Sequence, residues 1–377
     1  MKWEKKKLCE CTEYITDGDH QPAPKADKGV HFIKIKDIVN NQVSFDAQVY
    51  VPQEYYDNLP MERKPQKEDV LYTVVGSFGI PSYVQTDELF CFERNIALLH
   101  PNKAIEPRFL YYSLKNPAFY KGVEIVANGS AQKLIPLSKL KDLKISVPDK
   151  EAQHRIADIL SVYDNLIENN QKQIKLLEEA AQRLYKEWFV DLRFPGHENT
   201  KIVDGVPEGW SRGLLKELIS VNYGKDHKKA PDDGNIPVYG SGGLMRKCNK
   251  SLFSGEAVLI PRKGSLNNIM YVDETFWTVD TMFYATMKQP HTAVFVYFFV
   301  KAFDMYSMNI GAAVPSMTAK ILDAMDVVIP DKETLEKFDK LTKTYFNKIK
   351  TLQGQNERLK IARDLLLAKL MSGEVEV

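Results

Sequence analysis

The residues best suited to grip a ligand in this 377-residue chain are glycine clusters with Arg, Lys and Ser beside them: Arg262-Lys263-Gly264-Ser265, Tyr239-Gly240-Ser241-Gly242-Gly243 and Val75-Gly76-Ser77-Phe78-Gly79. Backbone exposed at glycine can approach a phosphate closely, and the neighbouring side chains supply donors for phosphate oxygens or base edges. The same clusters would also serve as plain turns. What points to a ligand is that the loop recurs in both halves of the chain while its flanking charge changes. Further basic groups stand at Lys225, Lys228 and Lys229, and at Arg246 and Lys247, with Lys34, Lys36, Gln132 and Lys133 in the first half. A charge run is usually a solvated face, but these sit among Gly, Ser, Asn and Tyr. The candidate contacts to DNA are therefore Lys34, Lys36, Ser77, Gln132, Lys133, Lys225, Lys228, Tyr239, Ser241, Arg246, Lys247, Arg262, Lys263 and Ser265.

Residue patterns for covalent chemistry fail on inspection. Asn116-Pro117-Ala118-Phe119 approximates the Asn-Pro-Pro-aromatic motif of amino-methyltransferases, but its third residue is Ala and no glycine-rich cofactor loop accompanies it. Two Pro-Asp-Lys-Glu segments faintly resemble a nuclease signature, and their duplication ahead of helices explains them better as caps. Cys9, Cys11, Cys91 and Cys248 form no CxxC pair, and no histidine lies at zinc-finger spacing from them. They read as reduced thiols, in the core or incidental. The sequence thus predicts no catalytic residue, metal site or cofactor in this chain. No charged-then-apolar leader opens it, and residues 294–300, the longest apolar run, are far shorter than the roughly 18 residues of a membrane span. The expectation is a cytoplasmic protein without a membrane partner. A net charge of +1 is low for a free-standing DNA binder, so any basic surface must be local or be completed by a partner.

The loops belong to a repeat. Residues 129–151 lie over residues 311–333 without a gap, at an offset of 182, with apolar positions coinciding at Leu140/Leu322, Leu143/Met325, Ile145/Val327 and Val147/Ile329. Val70-Leu71 with Gly76-Ser77 matches Val258-Leu259 with Gly264-Ser265 at 188, and Trp3 and Leu8 match Trp210 and Leu215 at 207. The falling offset gives the first copy 207 − 182 = 25 extra residues, and residues 50–66 read as an inserted loop. A shared frame with differing loops is expected where the frame is structural and the loops read different targets.

Each copy ends in a long helix. Asp149 is placed to cap the first, with Glu151 in its first turn. Ile156, Leu160, Tyr163, Ile167, Asn170, Ile174, Leu177, Ala181, Leu184 and Trp188 follow an alternating four-then-three spacing, a heptad seam. At an offset of 182 the second helix shows Phe338, Thr342, Tyr345, Ile349, Leu352, Asn356, Leu359, Arg363, Leu366 and Leu370. Each seam carries one asparagine, the kind of residue that fixes register. An amphipathic helix packed only on its own domain would show a similar stripe. A helix of about 40 residues is roughly 60 Å long, which a small domain does not need, so the two are expected to pair as an antiparallel coiled coil. Gly354 is a weak point in the second helix.

The globular halves read as short strands with glycine turns, interrupted by short helices over residues 107–115 and 292–303. The expected architecture is α+β: two α/β target-recognition domains in tandem repeat, with two long helices forming an antiparallel coiled coil. The expected bounds are residues 1–148 for the first domain, 149–195 for the first helix and linker, 196–329 for a linker and the second domain, and 330–377 for the second helix.

The chain resembles the specificity subunits of type I restriction-modification systems. The resemblance rests on Gly129-Ser130-Ala131-Gln132-Lys133 running into Ile145-Ser146-Val147-Pro148, on Ile156-Ala157-Asp158-Ile159-Leu160, on Val206-Pro207-Glu208-Gly209-Trp210, and on Ile236 through Gly243 and Trp277-Thr278-Val279-Asp280-Thr281. It covers essentially the whole chain, although Ala152-Gln153 stands where the family often has Glu-Gln. The resemblance implies that each recognition domain reads one half of a bipartite site in double-stranded DNA. It implies further that the helices set the unread spacer and dock two methyltransferase subunits, with restriction subunits joining. Those partners would hold the S-adenosylmethionine, ATP and magnesium. The recognition module of a split or fused type II restriction-methylation enzyme, or a helical scaffold that binds no DNA, are the competing expectations.

Overall fold

A computed structural model describes residues 2–39, 41–127, 133–308 and 316–377. The chain forms two compact units, Met1–Asn170 with Gly354–Val377, and Gln171–Gln353. Both long helices contribute to both units. The first, Lys150–Tyr185, passes from one unit to the other after Asn170, and the second, Lys332–Ser372, does so after Gln353.

In the first unit the strands Thr12–Asp17, Ile96–Pro101, Val70–Thr73 and Pro81–Tyr83 lie side by side in that order, all antiparallel. The Val-Leu-Tyr-Thr and Ile-Ala-Leu-Leu runs are buried throughout because both faces of this sheet are covered. Successive side chains point to opposite faces. Val70, Tyr72, Ala97 and Leu99 pack on the helix Pro107–Lys115 and on Ile156, Leu160, Leu367 and Leu370 of the long helices. Leu71, Ile96 and Leu98 face the other way, onto Ile33, Ile38, Phe90 and Phe92.

Residues 50–66 are not a plain inserted loop. Tyr50–Val51 is a strand antiparallel to Val30–Ile33, followed by the helix Gln53–Asp57 and a 3-10 turn at Met61–Arg63. Val51, Tyr56 and Leu59 make a small core with Val30 and Cys91. The segment holds its shape because it brings its own apolar residues.

The second unit widens the same plan to six strands, in the order Ile219–Tyr223, Met282–Met287, Phe253–Pro261, Met270–Thr278, Ile236–Gly240 and Gly243–Cys248. Only the contact of Ile236–Gly240 with Met270–Thr278 is parallel. Val258, Ile260, Phe283 and Ala285 face one core with Phe295 and Phe298, and Ala257, Leu259, Phe276 and Met282 face another.

The repeat is visible as repeated hydrogen bonds. Leu8 N donates to Leu143 O at 2.8 Å, and Leu215 N to Met325 O at 2.8 Å. Ile135 N donates to Val74 O and Met317 N to Arg262 O, both at 2.9 Å. Glu4 faces Val147 as Ser211 faces Ile329, and the bridge Val75–Leu134 recurs as Lys263–Ser316. Tyr111 and Lys115 recur as Tyr297 and Lys301, each lysine bonded to its tyrosine hydroxyl one helical turn away. That last pair lies outside the segments that match at offsets of 182, 188 and 207.

The first long helix is capped by Asp149, which accepts from Ala152 N at 2.9 Å. Asp331 caps the second more elaborately, accepting from Thr334 N and Oγ1 and, at 2.8 Å, from Trp210 Nε1. Burial alone would raise the Asp331 carboxyl, but these three donors hold it below the usual carboxylate range. The first helix ends in a π-turn at Lys186–Val190 that seats Trp188 in the core. The second runs unbroken through Gly354, where a Cβ would meet open space.

Within each unit the helices run antiparallel. In the first, Asn170 meets Asn356 and Asp164 meets Arg363, while Ile156 and Leu160 share a core with Leu367 and Leu370. In the second, Tyr185 and Trp188 pack on Phe338. Of the seam residues, Ile156, Leu160, Ile167, Asn170, Phe338, Ile349, Leu352 and Asn356 are buried, and Tyr163, Ile174, Leu177, Leu184, Tyr345, Leu359 and Leu366 are half-buried.

Candidate nucleic-acid interface

In the second unit the loop after Phe253–Pro261 is held open by Gly264, whose φ of +83° is in the left-handed region and whose missing Cβ leaves room for Ser241 Oγ. Asn268 Nδ2 donates to Ser241 O at 2.9 Å, which ties this loop to the Gly240–Gly243 turn. Arg262 lies 5.4 Å from the Tyr223 ring and donates to Asp280 O at 3.1 Å. Lys225 N donates to Thr278 O at 2.9 Å, bringing that residue to the same edge. Arg262, Lys263, Ser265, Ser241 and Lys225 are thus gathered at one group of strand ends, with Lys263, Ser265 and Lys225 exposed.

Two further candidates, Arg246 and Tyr239, are otherwise engaged. Arg246 turns inward: it pairs with Asp232 and donates to the carbonyls of His227 and Ala230, so it staples the loop that carries Lys225 and Lys228. Tyr239 donates to Glu274 Oε1 at 2.6 Å, and burial together with that carboxylate pushes its phenol well above the usual range. Lys228 and Lys247 are exposed, while the Lys229 side chain is outside the described residues.

The first unit builds the equivalent loop differently. Gly76 has a φ of +70°, Ser77 is exposed, and Lys133 stands 5.5 Å from the Phe78 ring. Gly76 N donates to Lys133 O at 3.2 Å, joining the loop to the next segment. Gln132 lies outside the described residues. Lys34 and Lys36 belong to a separate segment, the Ile35–Asp37 turn, locked by Asp37 and by Glu93, which accepts from Ile35 N at 2.7 Å. A cavity of about 450 Å³ is bordered by Ile38, Asn41, Gly79, Pro81, Lys115 and Tyr120.

Each loop-bearing domain is joined to its helices by polar contacts of different chemistry. In the first unit Asp164 pairs with the buried Arg363, accepts from Tyr112 Oη at 2.8 Å and lies 3.6 Å from Lys115 Nζ. Burial pulls Lys115 down to about 8, with Arg363 adding to the effect and Asp164 opposing it. In the second, Lys343 bridges Asp339 at 2.9 Å and Glu256 at 3.1 Å, and His291 Nδ1 lies 2.7 Å from Asp339.

Two copies of one loop-bearing domain, each bonded to a pair of antiparallel helices, define a tandem recognition protein. The family model for the type I restriction modification DNA specificity domain matches residues 1–179 and again 207–360, and the chain belongs to that family. It is a DNA sequence-specificity protein of the type I restriction-modification class. Its relatives include the type I restriction enzyme MjaIX specificity subunit of Methanocaldococcus jannaschii, 26% identical over 74% of this chain and 71% of that one. The HindI specificity subunit of Haemophilus influenzae is 23% identical over 92% of this chain and 94% of that protein. The crystal structure of the S subunit from M. genitalium shares the fold, with a TM-score of 0.62 at 20% identity over 98% of this chain and 96% of that one. No helix among the described residues is long and apolar enough to cross a membrane.

Proposed function

We propose that each unit reads one half of a bipartite site in double-stranded DNA, and that the paired helices set the unread spacer and dock two methyltransferase subunits, with restriction subunits joining them. The observation that carries this reading is the repeated hydrogen-bond frame with unlike loops: Gly76 and Gly264 hold the same turn, but Ser77 and Lys133 flank one while Arg262, Lys263 and Ser265 flank the other. One frame presents two different surfaces, as two half-sites require. Lys225, Lys228, Ser241, Lys247, Lys263 and Ser265 are the contacts proposed for the second half-site, and Ser77, Lys133 and Gln132 for the first. Lys34 and Lys36 would act on the flanking backbone. The chain itself performs no chemistry in this scheme; S-adenosylmethionine, ATP and magnesium act in the partners, in the cytoplasm. Partners that enclose the DNA share the phosphate contacts, which accommodates a net charge of +1.

Sequencing modified adenines in a host that carries only this chain and its methyltransferase tests the proposal. The expected result is a motif of two short elements with an unspecified spacer. A single continuous motif, or no methylation, overturns it.

A further inference from the structure

Large apolar side chains left exposed together mark a surface with a partner. Among the described residues of the second unit, outside the long helices and residues 186–207, four are exposed: Tyr223, Leu244, Met245 and Tyr306, at 44–56%. All four fall on the loop cluster built around Gly264. Tyr223 lies under Arg262, and Tyr306 Oη donates to Gly264 O at 3.3 Å. Leu244 pairs with Tyr239 across the Gly240–Gly243 turn, and Met245 Sδ fills the space where a Cβ on Gly240 would be.

The charges around the patch narrow the choice of occupant. Arg262 lies among these side chains, and Lys225 and Lys263 are exposed beside them. Nearby carboxylates are partly engaged: Asp226 caps Lys228 N at 3.0 Å, and Asp304 accepts from Asn267 Nδ2 at 2.9 Å, while Asp280 is exposed next to Arg262. Tyr, Met and Arg also occur in the core of protein–protein contacts, but lysine is depleted there, and here Lys225 and Lys263 are both exposed beside the patch. A DNA major groove, by contrast, offers phosphates for the cations and the 5-methyl group of thymine for apolar side chains.

We propose that Tyr223, Leu244, Met245 and Tyr306 read thymine methyl groups in the major groove, so that the half-site of the second unit contains at least one thymine. This rests on the reading of these loops as DNA-facing, and the two are separable by experiment. The full chain, co-expressed with its methyltransferase, is used to select duplexes from a random library. Deoxyuridine then replaces each thymine of the selected site in turn.

The expected result is a loss of affinity of about fourfold for each contacted methyl removed, confined to one half-site. The variant with Tyr223→Ala, Leu244→Ala, Met245→Ala and Tyr306→Ala, checked for an unchanged unfolding temperature, binds the thymine and uracil duplexes alike. A selected half-site without thymine, equal affinity for uracil at every position, or discrimination that survives in the quadruple variant overturns the proposal. Arg262→Ala with Lys263→Ala tests the underlying reading. If that pair weakens binding while uracil has no effect, the loops face DNA and the methyl assignment is wrong. If neither change matters, the DNA-facing reading falls as well.

Discussion

Asn170 Nδ2 donates to Asn356 Oδ1 at 2.9 Å across the paired helices, and Asn356 in turn reaches Ile167 O at 3.4 Å. Both asparagines are buried, 8% and 7% exposed, so each is the other's replacement for water. Replacing Asn170 alone with Leu leaves Asn356 short of its donor and is expected to cost about 1–3 kcal/mol. Replacing both with Leu is expected to recover that loss while loosening the register, since a polar seam residue fixes alignment at some cost in stability. Urea unfolding of the two variants, with light scattering to detect new oligomers, checks this; a double variant less stable than the single would contradict it.

Lys115 makes stability depend on alkaline pH. Its folded pKa is about 8 against the ordinary lysine value of 10.5, because burial outweighs the attraction of Asp164. Below about pH 8 the lysine is charged in both states and the burial penalty is present in full. Between about 8 and 10.5 the unfolded chain holds the extra proton, so stability rises with pH. The wild type is therefore expected to gain up to about 3 kcal/mol relative to Lys115→Met over that range. Chemical unfolding of both proteins at pH 7.5 and pH 10 measures the difference, and a gap that stays constant would refute it.

Gly354 interrupts nothing in the second long helix but retains the entropy cost of glycine. With open space at its Cβ position, Gly354→Ala is expected to stabilise the chain by up to about 1 kcal/mol. A lowered unfolding temperature would show that the glycine serves a partner or a bend.

The cap at Asp331 is expected to matter more than its counterpart at Asp149, since it also holds Trp210. Asp331→Ala should cost about 1–2 kcal/mol. The loss should shrink as the medium is acidified, because a carboxylate held below its ordinary pKa contributes above that value and loses its contribution as pH falls through the folded pKa. Unfolding midpoints of both proteins at pH 7 and pH 3.5 compare the two.

Thiol labelling should separate the four cysteines. Cys9 is exposed, while Cys11, Cys91 and Cys248 are buried. Burial pushes the Cys11 thiol up to about 11 and the Cys91 thiol up to about 12. One thiol is expected to react in the folded chain and four in denaturant; fast reaction of Cys91 would mean that the small core around Tyr56 opens.

Much of this was legible in the residues because repetition and periodicity are local properties. The heptad spacing, the two Asp caps and the offsets of 182, 188 and 207 all follow from one-dimensional order, and the helices and the matched hydrogen bonds stand where that order puts them. What could not be read is which way a side chain turns. Arg246 counts as a cation in the sequence, and only the folded loop supplies the Asp232 and carbonyl partners that draw it inward. Residues 50–66 lack a long apolar run, and their strand exists only because Val30–Ile33 lies ready to pair with it. Tyr223, Leu244, Met245 and Tyr306 are scattered over 84 positions and give no sequence signal as a set. Tertiary structure alone ties each of them to the loops around Gly264, because a surface patch is assembled from loops whose distances in space are set by the sheet beneath them and not by their order along the chain.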